Sequence, residues 1–483
     1  MRRTKIVCTI GPATSSEERI EALIRAGMNV ARLNFSHGEQ QEHAVVIERV
    51  RRIAARLGAP VAILQDLQGP KIRVGALAGG QPIKLVDGAR VTITTRPVAD
   101  TSQMIPTTYK ELPQDVKPGD RILLDDGLME LKVIEAAGTD VRCQVVHGGL
   151  LKEHKGINLP GVAVSAPALT AKDRDDLRFG IQHDVDYVAL SFVRRPEDIL
   201  EARRCIRELQ AAHNGERQRE PAPVPLIAKL EKPEAVAHLD DILEVTDGVM
   251  IARGDLGVEM PPEKVPLIQK QIIARCNQLG LPVITATQML ESMVTNPRPT
   301  RAEVTDVSNA VLDGTDAVML SAETASGAYP IEAVQMMVRI ALETEAGNRT
   351  AHQPAHQPLT QTRAVSRAAR ALSEEASVKA IVVFTRSGNS AHLISKDRPR
   401  VPILAYTPFE RVRRQLALWW GVWPYCIEMQ GSTEALIAAV SRRLLEDHLV
   451  QPGEHVVIMG GLPIASSART NFVKLHHVKI AEE

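Results

Sequence analysis

Short apolar runs that end on polar residues recur along the chain, at 5–10, 30–35, 61–67, 187–192, 225–231, 248–255, 282–288 and 317–324. Runs this apolar and this short predict strands buried on both faces. Helical patterns separate most of them. A helix over 17–26 has Ser16 as its cap and Gly27 as its stop, and one over 263–279 stops at Gly280. Eight such units match the strand count of a (β/α)8 barrel, an α/β fold whose functional groups stand at the C-terminal ends of its strands. An open doubly wound sheet would carry a Gly-rich dinucleotide turn early on, and neither Gly11 nor Gly27 begins one.

One connection breaks the rhythm. Roughly 120 residues separate the third run from the fourth, far more than a strand-to-helix loop requires. Within them, 90–95, 121–124 and 141–146 are β-rich, and Asp87-Gly88, Pro118-Gly119, Asp126-Gly127 and Gly148-Gly149 read as turns. An all-β module inserted over 70–165 accounts for this texture and, set at the barrel mouth, would act as a lid. The barrel is then 1–69 with 166–345. A polar His/Gln/Pro stretch at 352–358 reads as a linker to an α/β domain over 355–483, with strands at 380–384, 401–406 and 455–459 and a helix at 431–448.

Composition narrows the function classes. Among 483 residues, Lys+Arg and Asp+Glu are both 58, which argues against a dominant nucleic-acid or anionic-membrane role. Aromatics at 3% leave few surfaces on which bases could stack. No run of about 18 apolar residues predicts a membrane span, and Gly11-Pro12 interrupts the basic start before a signal-peptide core forms. The five cysteines are scattered without zinc spacing, as expected of reduced thiols in a cytoplasmic protein.

The fifth and sixth runs carry the informative chemistry. Lys229 and Glu231 end one, and Asp255 ends the next. An ammonium and two carboxylates at neighbouring strand ends suit a divalent cation held against an anionic substrate. Lys229 and Glu231, two apart on a strand, point the same way and could instead be a structural ion pair. Gly254 could make a turn, or could let backbone N–H groups approach a carboxylate.

Six segments in order, TKIVCTIGPA (4–13), ARLNFSHG (31–38), DLQGPKIR (66–73), IAKLE (227–231), ARGDLG (252–257) and TATQMLESM (285–293), resemble pyruvate kinases. NPRPTRAEV (296–304) through MLSAET (319–324) extends the resemblance over essentially the whole chain. It implies phosphoryl transfer from phosphoenolpyruvate to ADP, giving pyruvate and ATP at the last step of glycolysis. It implies that Glu231 and Asp255 ligate Mg²⁺ or Mn²⁺, that Lys229 and Arg32 face the phosphoryl group, and that Gly254, Asp255 and Thr287 hold the substrate carboxylate. Asn34, Ser36, His37, Arg73 and the lid residue Lys155 fall on the nucleotide side. Thr287, Ser321 and Glu323 lie where the enolate receives its proton, and a water relay ordered by them is the expectation. A cytoplasmic homotetramer is implied by resemblance alone.

One departure changes the cofactor expectation. Familiar members of the family carry an acidic residue where this chain has Lys71 and need K⁺. Asn34, Ser36 and Asp66 keep the oxygen ligands of that monovalent site, and the Lys71 ammonium would supply the missing charge. K⁺ is therefore expected to be dispensable. In the last domain Thr385, Arg386, Ser387, Gly388, Asn389 and Ser390 join an apolar strand to a helix, a phosphate cradle if not an ordinary turn. With a second loop at 460–471, it is the candidate site for a sugar-phosphate or AMP effector. Two other readings compete: a Mg²⁺-dependent barrel lyase or aldolase, and a silent metabolite sensor. The first would need no lid or Arg73, and the second predicts damage at Lys229, Glu231, Asp255 or Thr287, which are all intact.

Overall fold

The computed structural model describes residues 1–98, 103–214, 223–347, 360–428, 430–463 and 469–479; the expected linker at 352–358 lies outside them. Eight strands close a parallel barrel: β1 (Lys5–Thr9), β2 (Val30–Asn34), β3 (Ala62–Asp66), β4 (Tyr187–Leu190), β5 (Leu226–Leu230), β6 (Gly248–Ala252), β7 (Val283–Ala286) and β8 (Ala317–Leu320). Each pairs with its neighbour in sequence, and β1 closes onto β8 with Lys5 opposite Ala317.

Alternation explains why the runs are apolar throughout. Cys8, Ala31, Leu33, Ile63 and Val188 pack outward against helix residues such as Ile20, Leu23 and Val50. Val7, Val30, Leu64, Ile227, Met250 and Ile284 face the barrel interior. Burial on both faces leaves few polar positions inside the strands, Arg32, Gln65 and Thr285 among them, and gathers most of the others at the strand ends. The helices start and stop as their caps dictate. Ser16 Oγ accepts the Arg19 N–H at 3.3 Å, and Gly27 adopts φ 125°. The helix expected from 263 begins at Val265, because Pro262–Lys264 forms a separate 3₁₀ turn.

The inserted segment folds as a six-stranded sheet in the order Ile157–Asn158, Arg121–Leu124, Met129–Ala137, Asp140–His147, Arg90–Thr94 and Met104–Pro106. Ile83–Leu85 and Gly149–Leu151 form a two-stranded antiparallel pair. Gly88, Gly119 and Gly127 take positive φ as turn residues. The expected turn at Gly148-Gly149 is corrected. Gly149 begins a strand, and Gly148 is needed because any Cβ there would lie 2.2 Å from the Leu85 carbonyl oxygen.

The C-terminal domain is a five-stranded sheet in the order β11–β10–β9–β12–β13, built from β9 (Ile381–Phe384), β10 (Ile403–Thr407), β11 (Val422–Cys426), β12 (His455–Gly460) and β13 (Phe472–His477). β11 and β13 are the edges and were not foreseen. Pro424 masks β11, and a proline is tolerated there because an edge strand leaves one row of N–H groups unpaired. This domain docks on the N-terminal end of the barrel. Lys5 Nζ donates to the Val422 carbonyl at 2.6 Å, and Tyr187 Oη to that of Gln415 at 2.7 Å. Lys396 and Arg398 both pair with buried Asp316, at 2.5 and 3.2 Å. One apolar cluster runs from the barrel interior through Ala317 and Met319 to Leu418, Trp419 and Val422.

Candidate active site

At the opposite, C-terminal end of the barrel, polar groups converge. Lys229, the fourth residue of β5, carries its ammonium 2.8 Å from Glu231 Oε1, 3.2 Å from Asp66 Oδ1 and 2.7 Å from Ser191 Oγ. Its side chain is only 11% exposed, so it does not point into solvent. Burial alone would pull a lysine down, but Asp66 and Glu231 outweigh it and hold this one above its ordinary value. Asp66 ends β3. Burial pushes its carboxyl up, yet Lys229 and Arg32 prevail and hold it below its usual range. Arg32 Nε donates to Asp66 Oδ2 at 2.6 Å and Nη1 to Thr9 Oγ1 at 2.9 Å. The two cations flank one carboxylate and are held apart by it.

Glu231 is buried, and its Oε2 accepts the Phe192 N–H at 2.8 Å. Its carboxyl sits above the usual range because burial, then the charge of Asp255, oppose ionisation against the pull of Lys229. The sixth run does not remain a strand to its end. β6 stops at Ala252, and Gly254 and Asp255 lie in the first turn of the helix Arg253–Glu259, with Asp255 half-buried at the mouth. The Gly254 N–H donates to Thr287 Oγ1 at 2.8 Å. Thr287 and Gln288 follow β7 at φ 67° and 55°, backbone that ordinary side chains rarely adopt. Arg253 holds them there, donating to the Thr287 carbonyl at 2.9 Å while pairing with Asp306 at 2.7 Å.

The eighth run also ends early. β8 stops at Leu320, and buried Glu323 lies in the short helix Ala322–Ala325. Its oxygens accept the Ser321 N–H at 2.6 Å and the Leu290 N–H at 3.1 Å, tying the β7 and β8 loops together. Among the described residues, the buried Ser321 Oγ has no hydrogen-bond partner. On the nucleotide side the alternation expected for Arg32, Asn34 and Ser36 stops at the strand end. Asn34 Oδ1 accepts the Ser36 N–H at 3.2 Å, and His37 is exposed in the following turn. Partial loss of hydration around its ring, despite that exposure, then the cations Arg73, Lys71 and Arg32, lower the His37 pKa. Arg73 donates to the His154 carbonyl at 3.0 Å, and Lys155 pairs with Asp125 at 2.8 Å.

Lys71 lines a cleft between lid and barrel together with Phe192, Lys232 and Asp255, and no ion pair engages it among the described residues. Asp66, by contrast, is occupied by Arg32 and Lys229. Ser191 was missed, although it ends the fourth apolar run as Lys229 ends the fifth. In the C-terminal domain a cavity of about 850 Å³ is lined by Thr385, Arg386, Ser387, Asn389 and Ser390, and by Arg469, Thr470 and Asn471 opposite. Thr385 Oγ1 accepts the Gly388 N–H at 2.9 Å, with Gly388 at φ 91°, and Ser390 meets Thr470 at 2.7 Å. The middle of the expected second loop, 464–468, lies outside the described residues.

A closed barrel with an ammonium, a guanidinium and the carboxylates of Asp66, Glu231 and Asp255 at its C-terminal mouth, under a β lid, suits an enzyme that acts on anionic substrates. Comparison with known proteins makes this specific. The family model "Pyruvate kinase, barrel domain" matches residues 1–334, and "Pyruvate kinase, alpha/beta domain" matches 363–476. Pyruvate kinases of Staphylococcus saprophyticus and Staphylococcus aureus are each 48% identical, over 99% of this chain and 81% of theirs. The crystal structure of a Cryptosporidium parvum pyruvate kinase superposes with a TM-score of 0.92 at 38% identity, over 99% of this chain and 96% of that one. The chain belongs to the pyruvate kinase family, phosphotransferases that pass the phosphoryl group of phosphoenolpyruvate to ADP.

Proposed function

We propose that Lys229 and Arg32 neutralise the transferring phosphoryl group, and that Lys229 also stabilises the enolate oxygen left behind. The observation that carries this is the buried Lys229 ammonium, fixed by three oxygens and kept protonated by Asp66 and Glu231. A cation already oriented in a site with little water costs no reorganisation as charge develops. Purified protein given phosphoenolpyruvate, ADP and Mg²⁺ should yield pyruvate and ATP. Lys229→Ala should lower kcat by at least about 10²–10³-fold; a variant within a few-fold of the parent would remove the assignment.

Glu231 and Asp255 fit a divalent cation, since the charge of Asp255 opposes ionisation of buried Glu231 and a bound cation would relieve that opposition. Bound there, Mg²⁺ or Mn²⁺ would screen charge on the phosphoryl oxygens. Gly254, Asp255 and Thr287 would receive the substrate carboxylate, exchanging the Gly254–Thr287 hydrogen bond for one to substrate. Glu323 has both oxygens engaged by backbone, so its role in protonation is to place the loops. The unpartnered Ser321 hydroxyl, with Thr287, is better placed to order a water relay. Asn34, Ser36, His37, Arg73 and Lys155 would face the nucleotide.

Lys71, in the cleft beside Asp255, supports catalysis without K⁺. Assays in buffer free of K⁺ and Na⁺ test this, and many-fold activation by added K⁺ would refute it. The cavity at 385–390 supports a phosphorylated effector, read as a shift of substrate saturation by sugar phosphates or AMP. The domains are drawn at 1–69 with 166–345, 70–165 and 355–483. A cytoplasmic homotetramer completes the reading. Five free cysteines support the compartment, and among the described residues no helix is long and apolar enough to cross a membrane.

A further inference from the structure

Glu259 ends the helix that begins with the Asp255 turn, and its carboxylate is 1% exposed. A single oxygen, Oε1, accepts from two directions: Lys232 Nζ at 2.5 Å and the lid residue Asn158 Nδ2 at 2.8 Å. Lys232 directly follows Glu231, and its ammonium lies 5.7 Å from the centroid of the Phe192 ring. Phe192, at φ 57°, gives its N–H to Glu231. A second lid element lies over the same helix, where a Cβ on Gly127 would come 3.7 Å from Val258. One buried carboxylate therefore joins the lid strand Ile157–Asn158, the helix bearing Asp255 and the segment bearing Glu231.

We propose that Glu259 is a positioning residue for the phosphoryl-transfer reaction. It latches the base of the lid to the two segments that carry the divalent-cation carboxylates, so that seating the lid and aligning Glu231 with Asp255 are one event. The inference rests on the reading of Glu231 and Asp255 as the cation's ligands. An acceptor shared by two donors transmits movement of either, because shifting Asn158 leaves Lys232 as its one remaining partner among the described residues and lets the helix turn. Groups that orient metal ligands typically change affinity by 10–100-fold when removed.

Mn²⁺ binding to the purified full-length protein, followed by electron paramagnetic resonance without substrate or turnover, tests this. Glu259→Gln and Glu259→Leu lose the same charge, but only Gln keeps the acceptor. Asn158→Leu removes the lid donor with no change of charge. Glu259→Leu should bind Mn²⁺ about ten-fold more weakly than Glu259→Gln. Asn158→Leu should weaken binding similarly and raise the metal concentration at half-maximal rate in step, with kcat at saturating metal changed less than about three-fold. If Asp255→Asn loses Mn²⁺ affinity while the Gln/Leu pair and Asn158→Leu match their references, the latch is wrong and the metal reading stands. If Asp255→Asn also binds normally, both fail. Should Asn158→Leu not fold, Asn158→Ser, too short to reach Glu259, is held to the same criterion.

Discussion

The Lys229 ammonium combines two properties that conflict in most proteins, near-complete burial and a secure charge. It is secure because Asp66 and Glu231 supply the countercharge that water would otherwise provide. The pH dependence follows from the signs. Lys229 is raised when folded, so its contribution is complete below the ordinary lysine value and is lost only as pH climbs through its higher folded one. Asp66 is lowered, so its contribution is present above the ordinary carboxylate value and is lost as pH falls through its lower one. Rate profiles between about pH 6 and 9 should therefore show no limb from either group. Lys229→Arg, which cannot titrate, should lower the rate without changing the profile's shape there. Glu323 makes a different prediction. Gln can accept with only one oxygen, so Glu323→Gln leaves one buried N–H short of a partner, at a cost of about 1–3 kcal/mol. Calorimetry should show a lower melting temperature, with kcat reduced because the tie between the β7 and β8 loops is weakened. Residues of this kind were legible where they ended an apolar run, as Lys229, Glu231 and Asp66 do. Glu259 was not, because its meaning lies in a hydrogen bond to Asn158, 101 positions away, that no local pattern encodes.

Among the elements, the helix Arg253–Glu259 does the most with the least. Seven residues carry the clamp on Thr287, the candidate cation ligand Asp255 and the contact to the lid. Its existence was hidden because Arg-Gly-Asp-Leu-Gly has poor helix propensity, and the apolar run before it suggested a longer strand. Tertiary contacts, chiefly Arg253 with Asp306, override that preference. Arg253→Lys should raise KM for phosphoenolpyruvate and lower kcat, since a single ammonium cannot reach both Asp306 and the Thr287 carbonyl. The melting temperature should fall as well, because Arg253 is only 10% exposed and its guanidinium also meets the carbonyls of Ala286 and Thr287. The other unforeseen elements, β11 and β13, are sheet edges. β11, VWPYC, is apolar at almost every position and contains a proline, so its alternating burial is not written in its residue types, and β13 is half-exposed along its length.

For the whole molecule, the junction between barrel and C-terminal domain makes stability depend on pH. Burial lowers Lys5 to about 7, Lys396 to about 8 and His392, stacked on Trp419, to about 3. Each binds fewer protons folded than unfolded, so stability rises with pH wherever the unfolded chain takes the proton and the folded one refuses it. For His392 that window runs from its ordinary 6.5 down to about 3, and for the two lysines from 10.5 down to their lowered values. Melting temperatures should fall as pH drops from about 6.5 to 4, and His392→Gln should flatten that slope. The three-part architecture was readable from run spacing alone, but this junction was not. Lys5 looks like the polar start of a strand until Val422 is folded beneath it. The apolar cluster that passes unbroken from the barrel interior to Trp419 and Val422 has a practical corollary. Severing the chain near 350 would not yield two independent pieces: the barrel fragment would present a wet, greasy floor with the Asp316 carboxylate stripped of both its cations. Hybrids with the second half of another relative should survive only where that half brings its own equivalents of Lys396, Arg398 and Trp419.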